Sequence, residues 1–200
     1  MNKLKLHLAS SSARRREILD ALGLPFTWSA TDIDETPLDG EAAERMVLRL
    51  AAAKARTATE RPSTLILGAD TAVVLDSRIL GKPGSMDEAM EMLSCLSGRT
   101  HQVFTGVALL KAGAENAALS CTDVRFREIS VDEAATYCRS GEYRGKAGAY
   151  GIQGLAGMFV ESLSGSYSGV VGLPVYETAA LLCAAGMDIL HMTISRGRLS

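Results

Sequence analysis

Apolar and polar positions along the chain fall into two kinds of segment. Lys5–Ala9 and Thr64–Leu75 carry apolar runs of strand length, and residues 79–80 follow the second run across Asp76-Ser77-Arg78, a hairpin pattern. Residues 101–110 and 122–129 read as two further strands with a turn around 113–116. Helical spacing runs over residues 13–22, where Gly23 and Pro25 stop it, and over residues 41–58, rich in alanine, arginine and leucine. Two more helices mark their own beginnings. Ser85 with Glu88 and Ser130 with Glu133 match the capping box, in which the serine side chain and the glutamate three residues on satisfy first-turn amides; Gly98 and Gly141 mark the two ends. A last helix begins near Pro174, a residue suited to the first turn, and ends before Gly186.

Between the last two helices, residues 145–172 are glycine-rich and lack helical periodicity, with a short apolar run at 158–160 of strand character. Strands and helices alternate without the regular rhythm of a doubly wound parallel sheet. The pattern therefore predicts an α/β fold, a mixed twisted sheet flanked by helices, in a single domain over residues 1–200. Irregular stretches gather at 10–12, 31–40, 81–84 and 145–157, the places where chemistry is expected.

The 200 residues are 47% hydrophobic and 22% charged, enough chain to bury a core without disulfide or metal. The net charge of −2 argues against a general nucleic-acid surface, which needs a basic excess, but leaves room for a local cluster of cations. Cys95, Cys121, Cys138 and Cys183 form no CxxC pair, and with three histidines they show no zinc spacing, so reduced and mostly buried thiols are expected. The first twelve residues hold too short an apolar run for a secretory signal. No segment approaches the ~20 apolar residues of a membrane span. The expectation is a soluble cytoplasmic protein.

Four features ask for more than packing. Ser10-Ser11-Ser12-Ala13-Arg14-Arg15-Arg16 places three arginines in a helix's first turn, where the macrodipole favours negative charge. The serines can cap the helix and the arginines can be solvated; alternatively hydroxyls, amides and guanidinium groups form an anion site. Lys54 stands in line with Val47, Leu50 and Ala51, either snorkelling from the apolar stripe or delivered to an anionic partner. Asp70 interrupts the apolar strand after Gly68 and Ala69, with Thr71 following. It is either a buried structural carboxylate or one that holds a cation or takes a proton from water. Finally, glycine recurs at every third position through Gly148-Ala149-Tyr150-Gly151-Ile152-Gln153-Gly154, a loop of close backbone approach in which Gln153 offers both donor and acceptor to a nucleobase edge. Lys82 in Gly81-Lys82-Pro83 and Glu35 in an acidic loop are ordinary alone. Summed with Arg14, Arg15, Lys54 and Asp70, they make a set suited to phosphate-anhydride cleavage. Neither a P-loop nor the G-x-S-x-G elbow is present.

In these segments the chain resembles the Maf family of nucleoside-triphosphate pyrophosphatases: LASSSARRREIL, DIDE, AAAKA, LGADTAVVL, GKP, LSGRTHQVFTGV, KAGAYGIQG and GSYSGVVGLPVYET, in order over residues 8–178. The resemblance implies two lobes around a central cleft, similar to inosine-triphosphate pyrophosphatases, usually as a homodimer. It also implies hydrolysis of a nucleoside triphosphate between the α and β phosphates with a divalent cation, Mg²⁺ or Mn²⁺. ADT together with KAGAYGIQG resembles the dTTP/UTP branch. By the same resemblance Asp70 matches the proton acceptor. Arg14, Thr71 and Gln153 match positions tied to base selection, and Ser10, Arg15, Glu35, Lys54 and Lys82 match the polar lining of the cleft. On this reading Lys54 and Lys82 stabilise the departing pyrophosphate, while Glu35 and Asp70 hold the metal. Ser11 (where glycine is common), Gly169 and Arg144-Gly145 depart from the family pattern. Action on 7-methyl-GTP or another modified nucleotide, and a nucleotide-binding role in septum formation with little turnover, are the alternatives.

Overall fold

The computed structural model describes residues 4–59 and 63–194. Its strands are β1 (Lys5–Ala9), β2 (Phe26–Ser29), β3 (Thr64–Leu75), β4 (Arg78–Leu80), β5 (Thr100–Lys111), β6 (Ala114–Phe126) and β7 (Val160–Ser164). The α-helices are α1 (Ala13–Ala21), α2 (Ala43–Thr57), α3 (Met86–Leu96), α4 (Val131–Arg139), α5 (Tyr167–Val171), α6 (Val175–Ala184) and α7 (Ile189–Ile194). The strands form one sheet in the order β2-β1-β3-β5-β6-β7, with β4 paired to β3 off that path. The sheet is mixed: β1 runs parallel to both β2 and β3, whereas β3–β4 and β6–β7 are antiparallel. This is the expected α/β architecture.

The chain divides into two compact units, one drawn from Met1–Asp70, Thr105–Ser120 and Gly172–Ser200, the other from Thr71–Phe104 and Cys121–Val171. Each has its own apolar core. The first buries Leu6, Leu8, Leu65, Leu67, Val107 and Leu109 of the strands together with Leu19 and Leu182 of the helices. In the second, Val73, Leu93, Val103, Phe126, Tyr137, Tyr150 and Phe159 are buried together. Edge-on ring contacts tie the latter, with centroids 4.9 Å apart for Phe126 and Tyr150 and 5.6 Å for Tyr137 and Phe159.

The alanine content of α2 has a steric reason. A Cβ placed on Gly68 would lie 2.1 Å from the Ala51 carbonyl oxygen, and one on Gly106 would lie 2.6 Å from the Val47 oxygen. Small residues on both sides thus let the helix backbone settle almost directly on β3 and β5. Ala51, Lys54 and Ala55 share one face of α2, while Gly68 and Asp70, two apart, share one face of β3. The close approach at Gly68 therefore brings Lys54 onto Asp70.

Where the local signals are strong, expectation and structure agree. Ser130 and Glu133 form a complete capping box on α4. At α3 Ser85 accepts from the Glu88 amide at 3.1 Å, but the Glu88 carboxylate turns to the Gly84 amide at 2.7 Å, so only half of the box forms. The helix expected over 41–58 begins at Ala43, because Glu41 is used elsewhere. The turn expected around 113–116 is tighter: Ala112 and Gly113 both have positive φ, as a two-residue hairpin requires, so β6 starts at Ala114. The apolar run at 158–160 divides between a 3-10 turn, Leu155–Phe159, and β7. Strand β2 and helices α5 and α7 were not expected. Of the four cysteines only Cys138 is buried, correcting the expectation of mostly buried thiols.

Candidate functional site

Lys54 is 5% exposed near the end of α2, and its ammonium is held between two carboxylates. Lys54 Nζ donates to Asp70 Oδ1 at 2.6 Å and lies 2.6 Å from Glu35 Oε1. Asp70 is itself buried on β3, whereas the Glu35 side chain keeps 38% of its surface in contact with solvent. A snorkelling lysine would send its ammonium to water; this one is turned inward to paired charges, so the apolar stripe of α2 ends in an ionic site.

The serine-arginine segment adds cationic groups to the same unit. Ser10 is buried at the end of β1, where its Oγ accepts from the Ser12 amide at 3.2 Å and from Arg15 Nη1 at 3.2 Å. Arg15 also donates through Nε to the Gly172 carbonyl at 2.8 Å. Desolvation lowers the Arg15 pKa, while Asp70 and Glu35 act in the opposite sense and Arg14 adds to the lowering. Burial likewise lowers the Arg14 pKa, opposed by Glu17. The three arginines thus part company. Arg16 stacks over exposed Trp28, 4.2 Å from the ring centroid, whereas Arg15 lies in the field of the carboxylates. Capping by the serines does not occur: Ser12 stands at the N-cap of α1 without a side-chain cap bond.

Ser10, Arg15, Glu35, Lys54 and Asp70 are therefore gathered within the first unit, and Arg14 lies beside Arg15 there. Thr71, Lys82 and Gln153 belong to the second unit. In that unit the glycine-rich loop is fixed by close contacts. The Gly148 amide donates to the Gly81 carbonyl at 3.1 Å, joining this loop to the Gly81-Lys82-Pro83 turn. Gly148 has φ of 65°, and a Cβ there would meet the Val73 side chain at 2.9 Å. Gln153 is exposed. Immediately after it the Glu142 carboxylate accepts from the Leu155 amide at 2.9 Å and the Ala156 amide at 3.4 Å, and a Cβ on Gly154 would lie 2.4 Å from Glu142 Oε1. Gly169, one of the departures, donates its amide to Ser166 Oγ at 3.0 Å, an arrangement that asks nothing of its side chain.

Three charged residues that hold loops carry no motif in the sequence: Glu142, just after α4, accepts from the Leu155 and Ala156 amides, while Arg49 on α2 and Glu41 just ahead of that helix pair with each other and bind the Thr36 carbonyl and the Leu38 amide.

The family described as Maf-like protein matches residues 5–185. A dTTP/UTP pyrophosphatase from Methylobacillus flagellatus is 47% identical over 192 residues, covering 94% of this chain and 96% of that protein. Another of that name, from Myxococcus xanthus, is 52% identical over 185 residues, covering 92% and 94%. Among solved structures, a HAM1 protein from Coxiella burnetii is similar over 62% of this chain and 73% of its own, at 19% identity and a TM-score of 0.45.

Proposed function

This chain belongs to the Maf family, and on that footing we propose that it hydrolyses dTTP and UTP between the α and β phosphates, releasing the nucleoside monophosphate and pyrophosphate. Support comes from relatives of that printed activity at about half identity over nearly the whole chain. The observation that carries the chemistry is Lys54 held between Asp70 and Glu35 beside Arg15.

In the proposed mechanism Ser10, Arg14 and Arg15 bind the triphosphate; the guanidinium groups supply donors matched to phosphate oxygens. Asp70 accepts a proton from the water that attacks the α-phosphorus. The new P–O bond forms as the bond to the bridging oxygen breaks, and pyrophosphate leaves with that oxygen. Lys54 exchanges a carboxylate partner for the departing phosphate, with Lys82 as a second cation, a role of a kind worth ~3–4 kcal/mol per donor. Thr71 and Gln153 read the pyrimidine.

Glu35 and Asp70 would hold the divalent cation. Among the described residues no cluster of three or more histidine, cysteine or acidic side chains is placed to bind a metal. Two carboxylates converging on one ammonium do fit Mg²⁺ or Mn²⁺, which take one or two carboxylates and complete their shell with water and substrate phosphates. When bound, such an ion supplies charge neutralisation on the phosphates. The family resemblance extends the reading to a homodimer in the cytoplasm; no helix among the described residues is long and apolar enough to cross a membrane.

The test is pyrophosphate release from dTTP, UTP, CTP and 7-methyl-GTP with Mg²⁺ or Mn²⁺, identifying the monophosphate. Preference for dTTP and UTP is expected. Preference for 7-methyl-GTP, or tight triphosphate binding without product, would overturn the assignment.

A further inference from the structure

The carboxylate of Glu35 arrives from a long segment without regular structure between β2 and α2, yet it meets Lys54 at 2.6 Å. What fixes the segment lies on α2 itself. Arg49 Nε donates to Glu41 Oε1 at 2.7 Å and Arg49 Nη2 to Glu41 Oε2 at 2.6 Å, a two-pronged pair. The same Nη2 reaches the Thr36 carbonyl at 3.3 Å. Glu41 Oε2 also accepts from the Leu38 amide at 3.0 Å, and Asp34 Oδ1 accepts from the Thr36 amide at 2.8 Å. These bonds fall at residues 34, 36, 38 and 41, so they close around Glu35 while leaving its own side chain to the site.

We propose that Arg49, through Glu41 and the Thr36 carbonyl, is the positioning residue that sets Glu35 against Lys54 and Asp70; the proposal rests on the pyrophosphatase reading above. Arg49 and Lys54 stand five residues apart on one helix, so the group that holds the loop and the group to which the loop delivers its carboxylate share a rigid support. An irregular loop samples many conformations, and a guanidinium fork on a carboxylate that also binds loop amides selects one of them. The Arg49–Glu41 hydrogen bond holds the Glu41 pKa down at about 2 and raises that of Arg49, so the pair stays ionised across the working pH range.

The experiment is a double-mutant cycle on dTTP hydrolysis. Arg49→Ala should lower kcat about 10- to 100-fold, the cost of a misplaced catalytic group. KM for dTTP, measured at saturating divalent cation, should change less than kcat, because Ser10, Arg14 and Arg15, which bind the triphosphate, lie outside the loop. Arg49→Lys, which keeps the charge and loses the fork, should recover part of kcat. In the Glu35→Gln background Arg49→Ala should cause no further loss, since the carboxylate it positions is gone. Normal kcat in folded Arg49→Ala, or losses that multiply in the double variant, would overturn the positioning role. If Arg49→Ala does not fold, Glu41→Gln takes its place under the same criteria. A wild-type protein that releases no pyrophosphate from any nucleoside triphosphate would refute the activity. Hydrogen exchange then decides the clamp alone: faster exchange of the Thr36 and Leu38 amides in the variant supports it, and unchanged protection overturns it.

Discussion

Lys54 and Asp70, sixteen residues apart in sequence, are both buried and meet at 2.6 Å, Nζ to Oδ1. Neither charge is tolerable alone at that depth, and removing one partner of a buried pair typically costs ~3–5 kcal/mol. Lys54→Met is therefore expected to lower unfolding free energy by about 3 kcal/mol, with Lys54→Met/Asp70→Leu recovering most of it, because the buried carboxylate goes with the ammonium and Glu35, its side chain 38% exposed, can turn to water. Urea unfolding of the two variants measures this. A double variant no more stable than Lys54→Met would show that Asp70 is not paying for isolation.

Asp70→Asn separates chemistry from packing. The amide keeps the shape of the side chain and can still accept from Lys54 Nζ through its oxygen, but it cannot take a proton from water. A drop in kcat of about 10²–10⁴ in a folded protein is expected. Near-native dTTP hydrolysis by this variant would remove Asp70 from the role of proton acceptor.

The seat of α2 on the sheet predicts an intolerance at Gly68. Its backbone φ is unexceptional, but a methyl group there would sit 2.1 Å from the Ala51 carbonyl oxygen and 2.8 Å from the Ala55 nitrogen, both backbone atoms that cannot turn aside. Gly68→Ala should cost about 3 kcal/mol or push α2 off β3, carrying Lys54 with it. A thermal midpoint and kcat both equal to wild type would contradict the close-packed seat.

How much of this was legible before the structure depends on the range of the interaction. Capping boxes and hairpin turns are decided within four residues, and the signals at Ser130 with Glu133 and at Asp76-Ser77 appear in the structure as helix start and tight turn. Strand β2 was not legible, because Phe-Thr-Trp-Ser shows no buried alternation and owes its extension to parallel pairing with β1. The start of β6 was missed for a similar reason: its first four residues are exposed and read as loop. In the site, Asp70 stood out because a carboxylate within an apolar strand is chemically anomalous. Glu35 did not stand out, because an acidic loop residue looks the same whether it meets solvent or Lys54. Arg49, Glu41 and Glu142 were invisible because Arg49 and Glu41 pair eight residues apart, with Glu41 outside the helix that carries Arg49, and the other groups they and Glu142 hold are loop backbone atoms, which leave no residue pattern to read.

Glu142 gives a prediction about specificity. Its carboxylate accepts from the Leu155 and Ala156 amides and so anchors the loop directly after Gln153. Glu142→Ala leaves those amides without their acceptor and lets Gln153 move. If Gln153 reads the pyrimidine, the ratio of kcat/KM for UTP over CTP should change by about tenfold, the scale of one imperfect polar contact. A variant slowed equally on both nucleotides would assign Glu142 to general support of the loop.

His101 is 2% exposed, its Nε2 lies 2.7 Å from the Tyr150 hydroxyl, and its Nδ1 has no hydrogen-bond partner among the described residues. The Phe126 ring stands edge-on at 4.9 Å between centroids. A second ring proton would be confined where nothing accepts it, and burial pushes the pKa from 6.5 down to about 4. The folded-state pKa lies below that of the unfolded chain, so between these values the unfolded chain binds a proton that the folded one refuses. This group therefore leaves stability untouched above about pH 6.5 and lowers it as pH falls toward 4, below which the loss levels off. From pH 7 to pH 5 the loss amounts to about 2 kcal/mol. Urea midpoints measured across that range should fall in wild type and fall less steeply in His101→Gln, which carries no titrating ring. Parallel slopes for the two proteins would mean that other groups set the acid sensitivity.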